Sequence, residues 1–296
     1  MTPLTLGATT LAWGRQTYVM GIVNATPDSF SGDGLARGGD WVAAAVAQGE
    51  AQAAAGAHLL DVGGESTRPG SAPTPLAEEL ARVIPVIKAL AQRVAVPISV
   101  DTYKAEVARQ AVAAGATLIN DVWGLRMDPE LARVAAESGA GVVLMHNRSQ
   151  PKDAVQEARL GGRYVGVQYA DLFADIRREL RASVDLALAA GVDPARIILD
   201  PGIGFGKTVE QNLALVRGFG EFRALGYPLL AGPSRKSFIG YTLNLPPDQR
   251  AEGTAAVVAL CIQQGADIVR VHDVALISRV ARMADAVVRA APAGPA

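Results

Sequence analysis

Polar and charged side chains stand at or just after the ends of eight short apolar runs along the chain. They are Asn24, Asp61, Asp101, Asn120 with Asp121, His146, Asp200, Ser234 to Lys236, and Arg270 with His272. Carboxylates and amides of this kind can hydrogen-bond the edge of a flat heterocycle, and the cations can hold phosphate oxygens. A single Asp or Asn at such a place is explained equally well as the cap of the next helix. The recurrence of the pattern favours a binding site.

The apolar runs alternate with Ala-rich stretches whose apolar residues repeat at helical spacing. The runs lack apolar-polar alternation, which is typical of parallel strands covered on both faces. The predicted strands are 18–24, 58–62, 98–101, 118–122, 141–146, 197–200, 229–232 and 268–272, and the predicted helices are 41–55, 75–93, 104–114, 129–138, 164–190, 209–224, 251–264 and 275–290. Eight such units predict an α/β fold, a single (β/α)8 TIM barrel, with a doubly wound sheet as the alternative. In a barrel the strand-end residues would meet at one rim.

The domain organisation follows from the same pattern. Residues 1–17 precede the first unit and are predicted to form a short N-terminal hairpin extension, residues 18–290 a single barrel, and residues 291–296 a frayed tail. Three connections, 25–39, 63–74 and 147–162, are long and rich in Gly, Pro and Ser. Long connections above a barrel mouth predict lids or binding loops.

Composition limits the partners and the compartment. The 28 Lys and Arg residues nearly balance the 29 Asp and Glu residues, and no run of like charge occurs, which argues against a nucleic-acid or membrane-binding surface. The single cysteine, Cys261, lies in an apolar stretch and is predicted to be a core thiol rather than a nucleophile. No apolar run reaches the ~18 residues that a membrane span needs, and no export signal is recognisable. We therefore expect a cytoplasmic protein with small-molecule partners.

Two nucleotide-binding motifs are excluded at the glycine-rich turn Gly202–Thr208. Pro201 stands where a Walker A loop needs its first glycine, and Lys207 stands where the dinucleotide fingerprint needs its third. No His and Cys spacing matches a zinc site.

Three strand residues are expected to be structural. His146 is predicted to be a satisfied structural histidine, and His58 to have a structural or surface role. For Asp61, hydrogen bonds to the backbone N–H groups of residues 62–66 are favoured over a catalytic role.

The strand-end blocks, taken together, resemble the dihydropteroate synthase family of pterin-binding enzymes. The blocks that carry the resemblance are Asn24 to Phe30, Asp61 to Gly70, Ser99 to Thr102, Ile119 to Asp121, Asp200 to Lys207, Ser234 to Ser237 and Arg270 to Asp273. They follow the family's order and extend over most of the chain. The resemblance implies that the amine of p-aminobenzoate displaces pyrophosphate from 6-hydroxymethyl-7,8-dihydropterin pyrophosphate, in folate biosynthesis, with Mg2+ assisting. It also implies a homodimer.

The resemblance assigns roles to individual residues. It implies pterin binding by Asp101, Asn120, Met145, Asp200, Phe205 and Lys236, pyrophosphate binding by Thr67, Arg68, Arg270 and His272, p-aminobenzoate binding by Phe30, Thr67, Pro69 and Ser237, and Mg2+ binding by Asn24. Lys236, Arg270, His272 and Arg68 are expected to be catalytic, and Asp33 to contribute to the first lid. No general base is expected, because an aromatic amine is already neutral at pH 7.

Two other functions remain open from the sequence. A methyltetrahydrofolate-binding methyltransferase barrel shares pterin recognition, but it has no need of a pyrophosphate site. A non-catalytic barrel could have kept pterin affinity alone. Arg270 with His272, and the Thr67–Arg68 pair in the second lid, favour the synthase.

Overall fold

The structure is a computed structural model, and it describes residues 1–25, 41–66 and 71–289. The strands are β1 (Leu4–Leu6), β2 (Thr9–Leu11), β3 (Tyr18–Asn24), β4 (Leu59–Gly63), β5 (Ile98–Asp101), β6 (Leu118–Asp121), β7 (Gly141–Met145), β8 (Ala154–Val155), β9 (Arg163–Tyr164), β10 (Ile197–Asp200), β11 (Leu230–Ala231) and β12 (Ile268–Val271). The helices are α1 (Trp41–Ala54), α2 (Leu76–Ala91), α3 (Ala105–Ala113), α4 (Glu130–Ser138), α5 (Leu172–Ala189), α6 (Val209–Arg217), α7 (Ser237–Leu243), α8 (Ala251–Gln263) and α9 (Val274–Val288).

Eight of the strands form one parallel sheet in the order β10, β7, β6, β5, β4, β3, β12 and β11. The two end strands are also joined, because Leu199 on β10 forms a parallel bridge with Leu229 beside β11. The Leu199 amide donates to the carbonyl oxygen of Pro228 at 2.9 Å. The sheet therefore closes on itself, which confirms the predicted (β/α)8 barrel and excludes the doubly wound alternative.

The N-terminal hairpin is confirmed, with β1 and β2 paired antiparallel. Its buried side chains Leu4, Leu6 and Leu11 belong to an apolar cluster inside the barrel. The barrel's own members of that cluster are Tyr18, Met20, Leu59, Leu118, Val143, Ile198, Leu230 and Ile268. These residues lie in the amino-terminal parts of their strands or just before them, so the hairpin covers the floor of the barrel, at the end opposite the strand-end polar residues.

Truncating the hairpin's contact with the floor should cost stability without affecting the opposite rim. Leu11 is 0% exposed, and we expect Leu11→Ala to lower the free energy of unfolding by about 3 kcal/mol through lost burial and a residual cavity. Urea denaturation measures this loss. Thr10→Ala is the matched control, because Thr10 is exposed in the same strand. A loss no larger than that of the control would contradict the assigned packing.

The structure corrects the prediction in three places. The predicted helix 164–190 begins only at Leu172, because Arg163 and Tyr164 form β9, which pairs antiparallel with β8. Asp171 caps the helix by accepting from the Ala174 amide at 2.9 Å.

The predicted helix 209–224 ends at Arg217 and is followed by a 3-10 helix, Phe219–Leu225. The interruption falls at Gly218, where a Cβ would lie 2.5 Å from the Phe173 ring. The short helix α7 was not predicted. Within the described ranges, no helix is both long and apolar enough to cross a membrane.

Candidate active site

Four neighbouring strands bring the predicted pterin-binding residues to one rim of the barrel. Asp200, Met145 and Asp101 end β10, β7 and β5, and Asn120 is the penultimate residue of β6. Adjacent strands align Asp200 with Met145, and Asn120 with Asp101. All four side chains are buried. The strand ends therefore place two carboxylates and one amide along a continuous arc.

Arg270 on β12 joins this arc across the barrel. Its Nε donates to Asp61 Oδ2 and its Nη2 donates to Asp101 Oδ2, both at 2.6 Å. The Nδ2 of Asn120 also donates to Asp61 Oδ2, at 2.9 Å. One guanidinium thus holds two carboxylates that are only 0% and 9% exposed. The rim is a connected polar network rather than a set of separate helix caps.

The partners of Asp61 correct the prediction for that residue. Its side chain bonds to Arg270 and Asn120, and the described structure shows no bond from it to the backbone N–H groups of residues 62–66. Its Oδ1 is buried without a hydrogen-bond partner in the described part of the chain. The correction follows from closure of the barrel, which brings β12 beside β3 and directs Arg270 towards β4 and β5.

The carboxyl of Asp101 is poised between its two protonation states. Burial raises the pKa of Asp101 to about 7, although the neighbouring Arg270 cation opposes this effect. Asp61, Glu79 and Asp121 add to the increase. An incoming group that donates a hydrogen bond to Asp101 would favour the carboxylate. The site is therefore better satisfied when it is occupied.

Lys236 and Asp200 form the part of the site at the β10 end of the arc. The ammonium of Lys236 donates to the Ile203 carbonyl oxygen at 2.7 Å and lies 3.6 Å from the centroid of the Phe205 ring. Burial lowers the pKa of Lys236 to about 7, and the Asp200 carboxylate opposes that effect. Burial also raises the pKa of Asp200, and its bond from the Gly202 amide opposes the increase.

Gly204 lets Lys236 reach this position. Its φ is +83°, and a Cβ there would lie 2.2 Å from Lys236 Cδ. Any other residue at this point would displace the lysine or strain the turn.

His272 and Ser234 meet beside the network. The His272 amide donates to Ser234 Oγ at 3.1 Å, and Ser234 Oγ lies 2.9 Å from His272 Nδ1. Arg235 forms a two-point ion pair with Asp273, at 3.0 and 2.5 Å. The turn after β11 is thereby fixed to the end of β12.

Five of the other predicted site residues lie where the structure gives no description. Phe30, Asp33, Thr67, Arg68 and Pro69 lie outside the described residues, so their roles stay predictions, as do those of the residues placed here. Asn24 ends β3 beside Gly63 of β4, and Ser237 begins α7, partly exposed.

A cluster of charged residues at the second long connection was missed from the sequence. The ammonium of Lys104 donates to Glu65 Oε2 at 2.6 Å and to the Thr74 carbonyl oxygen at 2.7 Å. It also pairs with Glu79 on α2, which is 1% exposed. No local signal marks Glu79 as buried, because it lies in an ordinary charged helical turn.

His58 and His146, which were predicted to be structural, both have hydrogen-bond partners within the protein. His58 Nδ1 accepts from the Val19 amide at 3.0 Å. The two ring nitrogens of His146 lie 3.0 Å from Glu179 Oε2 and 3.0 Å from Lys207 Nζ. Cys261 is a buried free thiol, and burial raises its pKa.

The profile of the family described as "Pterin binding enzyme" matches residues 20–272, which include every strand of the barrel sheet except the first two residues of β3. The chain belongs to the pterin-binding enzyme family. It is 50% identical to the dihydropteroate synthase of Bacillus subtilis over 276 residues, covering 93% of this chain and 90% of that protein. It is 48% identical to the dihydropteroate synthase of Synechocystis sp. over 288 residues, covering 97% and 96%.

A solved structure gives the same result for the fold. Dihydropteroate synthase from Xanthomonas albilineans in complex with 7,8-dihydropteroate superposes with a TM-score of 0.85 at 41% identity, covering 98% of this chain and 100% of that one. The family model therefore covers nearly the whole barrel, and the solved structure matches the fold over 98% of the chain.

Proposed function

We propose that the chain is a dihydropteroate synthase, a transferase of the folate pathway. It joins p-aminobenzoate to 6-hydroxymethyl-7,8-dihydropterin pyrophosphate and releases pyrophosphate. The observation that carries the proposal is the network in which Arg270 holds Asp61 and Asp101 at 2.6 Å each. This network faces a rim that also contains Asp200 and Lys236.

The acidic arc suits recognition of a pterin. A pterin edge presents ring N–H and amino donors next to ring acceptors, so it needs carboxylates, an amide and a cation. Asp101, Asn120 and Asp200 supply the acceptors and the amide, and Lys236 supplies the cation. Phe205, whose ring lies against Lys236, offers a face on which the pterin can pack.

The same charges suit the reaction. Loss of pyrophosphate leaves positive charge on the pterin methylene carbon, which the carboxylates of the arc stabilise in the transition state. Arg270 uses Nε and Nη2 for Asp61 and Asp101, and its Nη1, which has no hydrogen-bond partner among the described residues, would donate to the departing diphosphate. The His272 ring is a second group that would contact the diphosphate, and Arg68 and Thr67 are expected to complete the group. Attack by the neutral aromatic amine then needs no base.

Mg2+ fits this site only together with substrate. The described residues include no group of three or more His, Cys, Asp or Glu side chains that could hold a metal ion. Asn24 offers one neutral oxygen ligand, and the unpartnered Oδ1 of Asp61 lies on the adjacent strand. Bound Mg2+ would neutralise charge on the leaving diphosphate.

We expect Mg2+ to bind the free protein only weakly and to bind with higher affinity when pyrophosphate is present. Calorimetric titration with and without inorganic pyrophosphate measures the difference, and Asn24→Ala should reduce the increase caused by pyrophosphate. Tight binding of Mg2+ to the protein alone would contradict the single-ligand assignment.

The experiment that tests the function measures pyrophosphate release with both substrates present. The proposal predicts release that depends on p-aminobenzoate, with dihydropteroate formed in equal amount. A methyltransferase barrel would release none. A non-catalytic pterin-binding barrel would bind the pterin pyrophosphate and leave it intact. Either result would overturn the proposal.

We further propose a cytoplasmic homodimer. Support for the dimer comes from large apolar side chains on neighbouring outer helices: Leu260 on α8 is 48% exposed, and Met283 and Val287 on α9 are 65% and 69% exposed. Burying such side chains against a second copy would be favourable. The balanced charge and the single buried thiol suit the cytoplasm.

A further inference from the structure

Lys207 is one of the two largest fully buried side chains in the described chain. Its Nζ lies 2.9 Å from the Gly202 carbonyl oxygen, 2.9 Å from the Phe205 carbonyl oxygen and 3.0 Å from His146 Nδ1. A buried lysine normally loses its charge unless its surroundings satisfy it. Here three acceptors surround the nitrogen, and an ammonium has three N–H donors.

The histidine fixes the direction of the hydrogen bonds. His146 Nε2 lies 3.0 Å from Glu179 Oε2, and a carboxylate can only accept, so Nε2 carries the proton and Nδ1 accepts from Lys207. A neutral lysine would have only two N–H donors for the three surrounding acceptors, and its lone pair would face the third. Burial lowers the pKa of His146 to about 3, which keeps the imidazole neutral. Burial lowers the pKa of Lys207 well below its usual range, whereas the three surrounding acceptors favour the ammonium, which has a donor for each of them.

The lysine is connected to the strand-end arc through one residue, Gly202. Gly202 uses its carbonyl oxygen to accept from Lys207 and its amide to donate to Asp200 Oδ1, at 2.7 Å. The turn is tight: φ of Gly202 is +75°, and a Cβ there would lie 1.9 Å from the His146 carbonyl oxygen. In the same turn, Lys207 also donates to the carbonyl oxygen of Phe205. The ring of Phe205 lies beside Lys236.

We infer that Lys207 is a positioning residue of the pterin site: its ammonium fixes the Gly202–Gly206 turn, and it provides a counter-charge behind the Asp200 carboxylate. This inference rests on the proposed role of Asp200 in pterin binding. Lys207 itself touches no substrate. The hydrogen bonds through His146 to Glu179 anchor the ammonium from behind.

The test is the pH dependence of pterin binding in Lys207→Met. The charged groups that face Asp200 are Lys236, Lys207 and Arg270, with Asp101 held by Arg270, and the variant removes only one of these. An opposite charge nearby lowers the pKa of a carboxyl by roughly 1–3 units, so its loss should raise the midpoint of the acid limb by about one pH unit. Affinity should therefore fall more at low pH, where Asp200 becomes protonated first in the variant. Calorimetric titration with 6-hydroxymethyl-7,8-dihydropterin pyrophosphate at several pH values measures this affinity.

Arg250→Met is the matched control. Arg250 is equally buried, 2% exposed, and its guanidinium bonds to the carbonyl oxygens of Leu160, Arg235 and Leu245 at 2.8, 2.9 and 3.1 Å. It is not among the charges that act on Asp200. We expect this variant to lose stability while the midpoint of the acid limb stays where it is in the parent chain. Lys207→Arg, which keeps the charge, should also keep the midpoint.

The outcomes separate a specific role from a general one. A Lys207→Met variant that loses affinity by the same factor at every pH would overturn the counter-charge. If it does not fold, Lys207→Gln takes its place, and failure of both to fold would overturn the inference, since the lysine would then serve the fold alone. If Asp200→Ala leaves pterin binding unchanged, the proposed pterin site itself fails. Loss of binding in Asp200→Ala with parental behaviour in Lys207→Met rejects only this inference.

Discussion

Asp200→Ala is expected to reduce pterin affinity by at least about 100-fold, to the point where calorimetry detects no binding. Asp200 is 5% exposed and ends β10, where its Oδ1 accepts from the Gly202 amide at 2.7 Å. Hydrogen bonds to a charged group contribute about 1.5–3 kcal/mol each, and a pterin edge offers more than one donor to this carboxylate. The variant also removes the anion that supports the charge of Lys236, so the neighbouring donor weakens as well.

Asp193→Ala is the matched control for this prediction. Asp193 is an exposed aspartate just before the amino end of the same strand, where it caps a short 3-10 helix by accepting from the Ala195 amide at 2.8 Å. It lies at the opposite end of β10 from the site. Its loss should leave pterin affinity unchanged and lower stability by about 1 kcal/mol. Undiminished affinity in Asp200→Ala would reject the pterin assignment.

Arg270→Ala is expected to cost both turnover and stability. Loss of a donor that stabilises developing charge lowers kcat by roughly 100- to 1,000-fold. Removing one partner of a buried ion pair costs about 3–5 kcal/mol, because Asp61 and Asp101 would stay buried without their counter-charge. Steady-state pyrophosphate release and urea denaturation measure the two effects.

A second substitution separates the two effects of Arg270→Ala. Adding Asp61→Asn removes one stranded charge, so it should recover much of the stability but none of the turnover. Recovery of turnover together with stability would mean that Arg270 acts only through the fold. Arg133→Ala is the surface control: Arg133 is about half exposed in ion pairs with Glu130 and Glu137, and such pairs contribute ~0–1 kcal/mol.

The stability loss in Arg270→Ala should depend on pH in a defined direction. Burial already raises the pKa of Asp101, and Arg270 opposes that increase, so the variant raises the pKa further. A carboxyl with a raised pKa binds its proton more tightly in the folded state, and the folded state is therefore favoured as the pH falls. The loss relative to the parent chain should be larger at pH 8 than at pH 5. The opposite trend would contradict the assigned pairing.

Much of the fold could be predicted from local patterns. Each barrel strand is a short apolar run, and a buried parallel strand needs little else to be recognised. The helices with strong periodicity, such as α4 and α9, begin and end within one or two residues of their predicted bounds. The prediction failed between Tyr164 and Asp171, where helical composition continues but the chain first pairs with β8. Pairing of this kind depends on residues elsewhere in the chain.

The residue types at the rim were equally readable, because polar groups at the ends of apolar strands have few structural reasons to recur. Their partners were not. Arg270 and Asp61 are 209 positions apart, and the sequence suggested a local backbone role for Asp61. The sequence placed Lys207 in a glycine-rich turn and gave it no partner, whereas the structure buries it against His146, 61 positions away.

The sequence by itself determined where the eight barrel strands and most of the helices lie and which chemical groups stand at the strand ends, since hydrophobic periodicity and turn chemistry act over a few residues. Only the tertiary structure decided which carboxylate shares Arg270, which lysine is buried and which stays beside the pterin arc. Those outcomes depend on closure of the barrel. Closure brings charges from distant segments within 3 Å of one another and removes them from water, where their interactions become strong enough to set protonation and geometry.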